Sequence, residues 1–239
     1  MKKYIPNILT CMNVLSGCIA CVMAFEGNYL LVVAWVVIAA VCDFFDGFAA
    51  RMLKAYSPIG KDLDSLADMI SFGMAPALLV FRYLSDSQVM ADMTFAFAEY
   101  IPYLSFMLVI FSALRLAKFN NDERQTTSFI GLPTPPNALF WISLCYGLSS
   151  NNVAIPGQVS FYGILVLIVI FSLLMTSEIP MFSLKVKNFG LRGNELRYLL
   201  IVLMVAAVVL GGLLGIAAGI IIYIIMSVLA SAMAKKQSE

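Results

Sequence analysis

Four aspartates in two short stretches are the residues best suited to chemistry in this chain. Asp43 and Asp46 stand in Asp43-Phe-Phe-Asp46-Gly47-Phe-Ala-Ala50-Arg51. Asp64 and Asp68 stand in Gly60-Lys-Asp-Leu-Asp64-Ser-Leu-Ala-Asp68. At 3.6 residues per turn, positions 43, 46, 47, 50 and 51 share one helical face, and 60, 64 and 68 share another. Carboxylates inside apolar segments are costly, so they line a polar cavity, pair with a cation or hold a metal. Two faces with two carboxylates each suit one or two hard divalent ions in an oxygen cage. The chain contains no histidine, which leaves carboxylate, Lys, Tyr or Cys for any acid–base step.

The elements that must position these groups are membrane helices. Apolar residues make up 62% of the chain and charged residues 12%, against roughly 45–50% and about 25% in soluble domains. The surplus points to a lipid bilayer as solvent. The expected fold is all-α, a polytopic integral membrane helical bundle. At about 20 apolar residues per crossing, the sequence predicts eight transmembrane helices. They lie near residues 7–25, 28–50, 62–83, 94–117, 136–149, 158–177, 196–210 and 213–233. The first Asp pair falls at the end of the second helix and the second pair at the start of the third. A polar link from Arg51 to Lys61, with Ser57-Pro58 and Gly60 as helix breakers, joins them. The whole chain reads as a single membrane domain: residues 1–177 form a six-helix core, and 178–239 add a basic loop and a helix pair.

Charge sets the expected orientation. With a cytoplasmic N-terminus, every Lys and Arg except Arg82 falls on the inside, including Lys185, Lys187, Arg192, Lys235 and Lys236. Glu26, Asp86, Asp92 and Glu99 fall outside. The positive-inside rule then places both termini and both Asp pairs at the cytoplasmic face of a cell membrane. Met1-Lys2-Lys3 and the following apolar run resemble a signal peptide, but Asn7 and Asn13 interrupt it and further spans follow, so a retained helix is expected. Cys18 and Cys21 form a Cys-x-x-Cys without a second pair, which reads as small apolar filler rather than a metal or redox site. The net charge of +1 gives no sign of a nucleic-acid partner. Gly211, Gly215 and Gly219 make a small-residue stripe for close helix packing, within the chain or in a homodimer.

The pattern Asp-x-x-Asp-Gly-x-x-Ala-Arg-x(8)-Gly-x-x-x-Asp-x-x-x-Asp resembles the signature of the CDP-alcohol phosphatidyltransferase family at every named position. That resemblance implies transfer of a phosphatidyl group from a CDP-linked lipid to an alcohol, with release of CMP. It implies Mg2+ or Mn2+, two ions, held by Asp43, Asp46, Asp64 and Asp68, with Asp68 also the general base. Gly47, Arg51 and Gly60 would accommodate and pair with the diphosphate, and Thr10 and Asn13 would face the nucleotide or the lipid diphosphate. A structural alternative for Asp64 and Asp68 is capping of the third helix.

The acceptor must be read elsewhere. Gly60 to Ala77, Arg115-Leu-Ala-Lys118-Phe119-Asn120, Phe129-Ile-Gly131-Leu-Pro133-Thr-Pro135 and the opening Pro6-Asn7 to Gly17 are similar to the phosphatidylserine synthase branch. That branch implies CDP-diacylglycerol and L-serine as substrates, with Arg115 and Phe119 at the serine site. Lys118 departs from the Arg more usual there. The alternatives are a relative using a phosphorylated acceptor such as glycerol 3-phosphate or inositol phosphate, and a divalent-cation transporter. For Arg115, Lys118 and Arg124, the plainer alternative is anchoring of a helix end at the interface.

Overall fold

A computed structural model of the protein describes residues 4–55, 57–122, 129–150, 155–181, 190 and 194–238, with no side chain described for Phe129 or residues 232–238. Two long helices open the chain: α1, Tyr4–Phe25, and α2, Tyr29–Met52. The Asn28 side chain caps α2 by accepting from the Leu31 N–H at 3.2 Å. Next comes a continuous rod from Pro58 to Ser85. It comprises α3, Pro58–Asp68, one wide π turn at Met69–Met74, and α4, Ala75–Ser85. A short α5, Gln88–Ala91, occupies the acidic loop. A 3-10 segment, Ala98–Phe106, feeds into α6, Met107–Asn121. The remaining helices are α7, Thr134–Ser149, α8, Gly157–Thr176, α9, Glu195–Gly211, and α10, Leu214–Ser238. Phe129–Ile130 pairs antiparallel with Pro180–Met181, tying the entry of α7 to the exit of α8.

The expectation of eight membrane crossings is corrected here. Among the described residues, six helices are long and apolar enough to cross a bilayer: Tyr4–Phe25, Tyr29–Met52, Pro58–Ser85, Ala98–Asn121, Gly157–Thr176 and Leu214–Ser231. The expected fifth and seventh spans are α7 and α9, with 16 and 17 residues. At 1.5 Å per residue they reach about 24 and 26 Å, short of a hydrocarbon core of roughly 30 Å. Helix α7 is apolar for a different reason. Its Phe140, Trp141 and Ile142 are buried by protein, with Phe140 stacked on Phe171 at 4.0 Å between ring centroids. An apolar run does not distinguish a side chain facing lipid from one facing a neighbouring helix.

The third helix also starts earlier than its composition suggests. Ser57 caps it by accepting from the Gly60 N–H at 3.0 Å, and Pro58 occupies the first turn. Proline is tolerated there because the first-turn N–H groups have no intrahelical partner. The first turn therefore holds no acidic residue. Asp64 and Asp68 lie beyond it, and the capping alternative loses its basis.

The exposed surface is rich in apolar side chains, Phe44, Phe45, Leu173, Val202 and Val209 among them. The small-residue stripe serves the α9–α10 hairpin: a Cβ at Gly215 would lie 1.9 Å from the Ala207 carbonyl oxygen, and one at Gly219 would touch Met204. All five cysteines are free. Lys2, Lys3, Arg124, Lys185, Lys187 and Arg192, and the side chains of Lys235 and Lys236, lie outside the described residues.

Candidate active site

The last turns of α2 and the second half of α3 bring three carboxylates together. Asp43, Asp64 and Asp68 each offer one oxygen, and these oxygens lie within 4.8 Å of one another. Such a convergence of like charges persists only with a compensating cation or proton. Three convergent oxygens make a hard-ion site, so the donor set fits a divalent metal. Asp68, 8% exposed, keeps its Oδ1 buried and without a hydrogen-bond partner among the described residues.

Asp46 stands apart from the triad. It is buried one helical turn along α2, where its Oδ2 accepts from the Thr10 hydroxyl at 2.6 Å. The Thr10 oxygen also lies 3.0 Å from the Pro6 carbonyl. Helix α1 thus fixes the rotamer of the fourth aspartate, as outer residues do for metal-site carboxylates.

A cleft of about 300 Å³ opens between the α1 start, the α2 end and the α3 start. Its walls include Thr10, Asp43, Asp46, Gly47, Gly60 and Asp64. A Cβ at Gly47 would meet no protein atom within 4 Å, so nothing in the fold itself demands glycine there. A Cβ at Gly60 would press on Ser57 Oγ at 3.0 Å and Asn7 Oδ1 at 3.3 Å. Arg51 is exposed, its Nε donating to the Gly47 carbonyl at 3.0 Å along its own helix. Asn13 does not line the cleft: it is fully buried, and both side-chain amide atoms lack partners among the described residues.

Helix α6 closes the inner side. Arg115 is 6% exposed, lies close enough to Asp68 for their charges to interact, and has an unpartnered Nε. Its guanidinium carbon sits 4.8 Å from the Phe119 ring centroid, a cation–π distance. Interfacial anchoring therefore does not describe Arg115. Lys118 does something closer to it, binding Glu178 and donating to the Thr176 carbonyl at 3.2 Å. A second clamp went unrecognised in the sequence: Lys61 Nζ donates to the Asn120 carbonyl at 2.9 Å, and Asn120 Nδ2 to Ser65 Oγ at 2.7 Å. Tyr223 of α10 was equally unforeseen. It is buried on α10, near enough to Arg115 for their charges to interact.

The model of the CDP-alcohol phosphatidyltransferase family matches residues 3–176. The chain belongs to that family. The match takes in the Asp triad, Asp46, the cleft and Arg115, and stops before α9 and α10. A Bacillus subtilis protein named CDP-diacylglycerol–serine O-phosphatidyltransferase is 36% identical over 133 residues, covering 56% of this chain and 70% of the relative. A Helicobacter pylori protein of the same name is 31% identical over 193 residues, covering 78% and 75%. One from Methanocaldococcus jannaschii is 29% identical over 147 residues, covering 61% and 62%.

Proposed function

We propose that the protein is a phosphatidylserine synthase, transferring the phosphatidyl group of CDP-diacylglycerol to the hydroxyl of L-serine and releasing CMP. The observation that carries the acceptor is Arg115: a buried guanidinium beside Asp68, at the inner edge of the carboxylate triad. Among the described residues it is the only buried cation. One guanidinium suits one carboxylate in a two-pronged pair. A phosphorylated alcohol brings a second negative charge, and the neighbouring lysines are committed elsewhere, Lys61 to Asn120 and Lys118 to Glu178. The names of the relatives support the same acceptor.

In this reading the serine oxygen attacks the lipid-side phosphorus of the diphosphate. The phosphorus–oxygen bond to CMP breaks, and the hydroxyl proton passes to the Asp68 carboxylate. Asp43, Asp64 and Asp68, with Asp46 beside them, would hold Mg2+ or Mn2+. Bound divalent ions neutralise diphosphate charge and orient the reacting oxygens. Gly47 leaves room for the nucleotide against the α2 backbone, Gly60 does the same at the start of α3, and Arg51 swings from the Gly47 carbonyl to a phosphate. Phe119 holds the Arg115 fork in place. The active site and both termini lie at the cytoplasmic face, as the lysine and arginine distribution supports, and the enzyme works as a homodimer.

Incubating purified protein with CDP-diacylglycerol and a panel of alcohols tests the acceptor. CMP release that depends on serine is the expected result, and turnover confined to another alcohol overturns it.

A further inference from the structure

Beyond Asp68 the bundle contains a band of buried polar groups that the reaction described so far does not use. Asn13 on α1 and Thr134 and Asn137 on α7 are all 0% exposed. Asn13 Nδ2 and Oδ1, Thr134 Oγ1 and Asn137 Nδ2 have no hydrogen-bond partner among the described residues, and neither does Arg115 Nε. In a membrane bundle each such atom costs roughly several kcal/mol. Four residues carrying that cost together call for a ligand that satisfies them.

A chain of close contacts links the helices that carry these groups. Ser71, one turn past Asp68, donates to the Asn13 carbonyl at 3.0 Å. Gly73 backs onto Ser112, whose Cβ lies 3.3 Å from where a Cβ would stand. Ser112 is one turn before Arg115, and its hydroxyl meets Met175 Sδ at 3.7 Å. The adjacent Leu174 carbonyl accepts from Leu132 N at 3.0 Å, two residues before Thr134. Gly131, at φ +76°, makes this approach possible, because a Cβ there would stand 2.4 Å from the Met175 carbonyl oxygen. Asn137 follows one turn into α7, where its Oδ1 accepts from Trp141 Nε1 at 3.1 Å. That bond orients the amide and leaves Nδ2 as the spare donor.

The set is chemically mixed. Arg115 Nε, Asn13 Nδ2 and Asn137 Nδ2 donate, Asn13 Oδ1 and Thr134 Oγ1 accept, and only one of the four residues is charged. That pattern matches a small zwitterion, with carboxylate on the donors and ammonium on the acceptors. It does not match a phosphate dianion. We infer that Thr134 and Asn137, with Asn13, are acceptor-positioning residues that hold the amino-acid end of the substrate so that its hydroxyl meets Asp68. The inference rests on serine being the acceptor and adds the α7 start to that site.

Thr134→Val and Asn137→Leu keep side-chain size and remove the polar atoms. In detergent-purified enzyme, each is expected to raise the KM for serine by about 10- to 100-fold, the range for a hydrogen bond to a charged group. The KM for CDP-diacylglycerol and the thermal shift that this lipid induces stay at wild-type values. Thr134→Ser, which keeps the hydroxyl, retains the wild-type serine KM. An unchanged serine KM in Thr134→Val and Asn137→Leu overturns the inference, and so does a parallel loss for both substrates. Wild-type turnover with another alcohol and none with serine overturns the acceptor reading itself, and that result is visible before any variant is made.

Discussion

The open cleft and the buried polar groups of α1, α6 and α7 are built on opposite terms. In the cleft, polar groups are fixed by the protein: Asp46 by Thr10 and the Gly60 N–H by Ser57. In the band, Asn13, Arg115, Thr134 and Asn137 carry atoms without a hydrogen-bond partner among the described residues. A ligand that is large and highly charged needs a rigid, preformed cradle. A small one that must be told from similar alcohols is better recognised by unpaired polar groups, because a wrong ligand leaves them unpaired. In the proposed reaction, chemistry and lipid binding fall to the first region and acceptor choice to the second.

The largest expected effect falls on the carboxylate triad. Asp68→Asn removes one of its three carboxylates, and CMP release is expected to fall by about 10²- to 10⁴-fold, the usual weight of a general base. Near-normal turnover would remove Asp68 from the base role. Chelation with EDTA acts on the cleft alone in this scheme. It should abolish turnover, with Mg2+ or Mn2+ restoring it. Activity that survives thorough chelation would show that the carboxylate triad holds no ion needed for the reaction.

Arg115→Lys acts on the band alone. A lysine keeps the charge and loses the planar fork, so the serine KM should rise by roughly 10-fold or more while the KM for CDP-diacylglycerol holds. If both KM values moved together, Arg115 would belong to the cleft and the division would fail. Thr10→Val makes the opposite incision. It frees Asp46 without touching Arg115, and outer-shell losses of this kind cost about 10- to 100-fold in metal affinity. Titrating Mg2+ against turnover reads this directly, and an unchanged titration would detach Thr10 from the metal site.

Much of the cleft is legible in the sequence because helical spacing alone puts Asp43 and Asp46, and Asp64 and Asp68, on single faces. Glycine and arginine at one-turn steps on the same face then narrow the ligand. The band is not legible in this way. Asn13, Arg115 and Thr134 come from three helices, and the links between those helices run through Ser71, Ser112 and Leu132 rather than through any spacing in the sequence. The number of crossings fails for a related reason. Hydropathy reports that Trp141 avoids water, and the residue is wholly buried between helices rather than facing lipid. Tyr223 illustrates the limit from the other direction, since nothing local to an apolar C-terminal helix announces that one of its residues couples to Arg115.

Gly47→Ala gives the smallest effect and separates two reasons for a glycine. Helix interiors favour alanine over glycine by about 1 kcal/mol, and a Cβ at position 47 meets no protein atom within 4 Å. The fold alone would therefore gain from the substitution, so thermal unfolding in detergent should move slightly upward. The same methyl group projects into the cleft, where the nucleotide approaches the α2 backbone, and the KM for CDP-diacylglycerol should rise several-fold, within about the first 10-fold that 1.4 kcal/mol represents. Gly215→Ala is the matched control. Its Cβ would collide with the Ala207 carbonyl, so that protein should lose stability, with the lipid KM following only as far as unfolding carries it. A Gly47→Ala protein that is more stable and equally active would show that the cleft does not hold the nucleotide at that turn of α2.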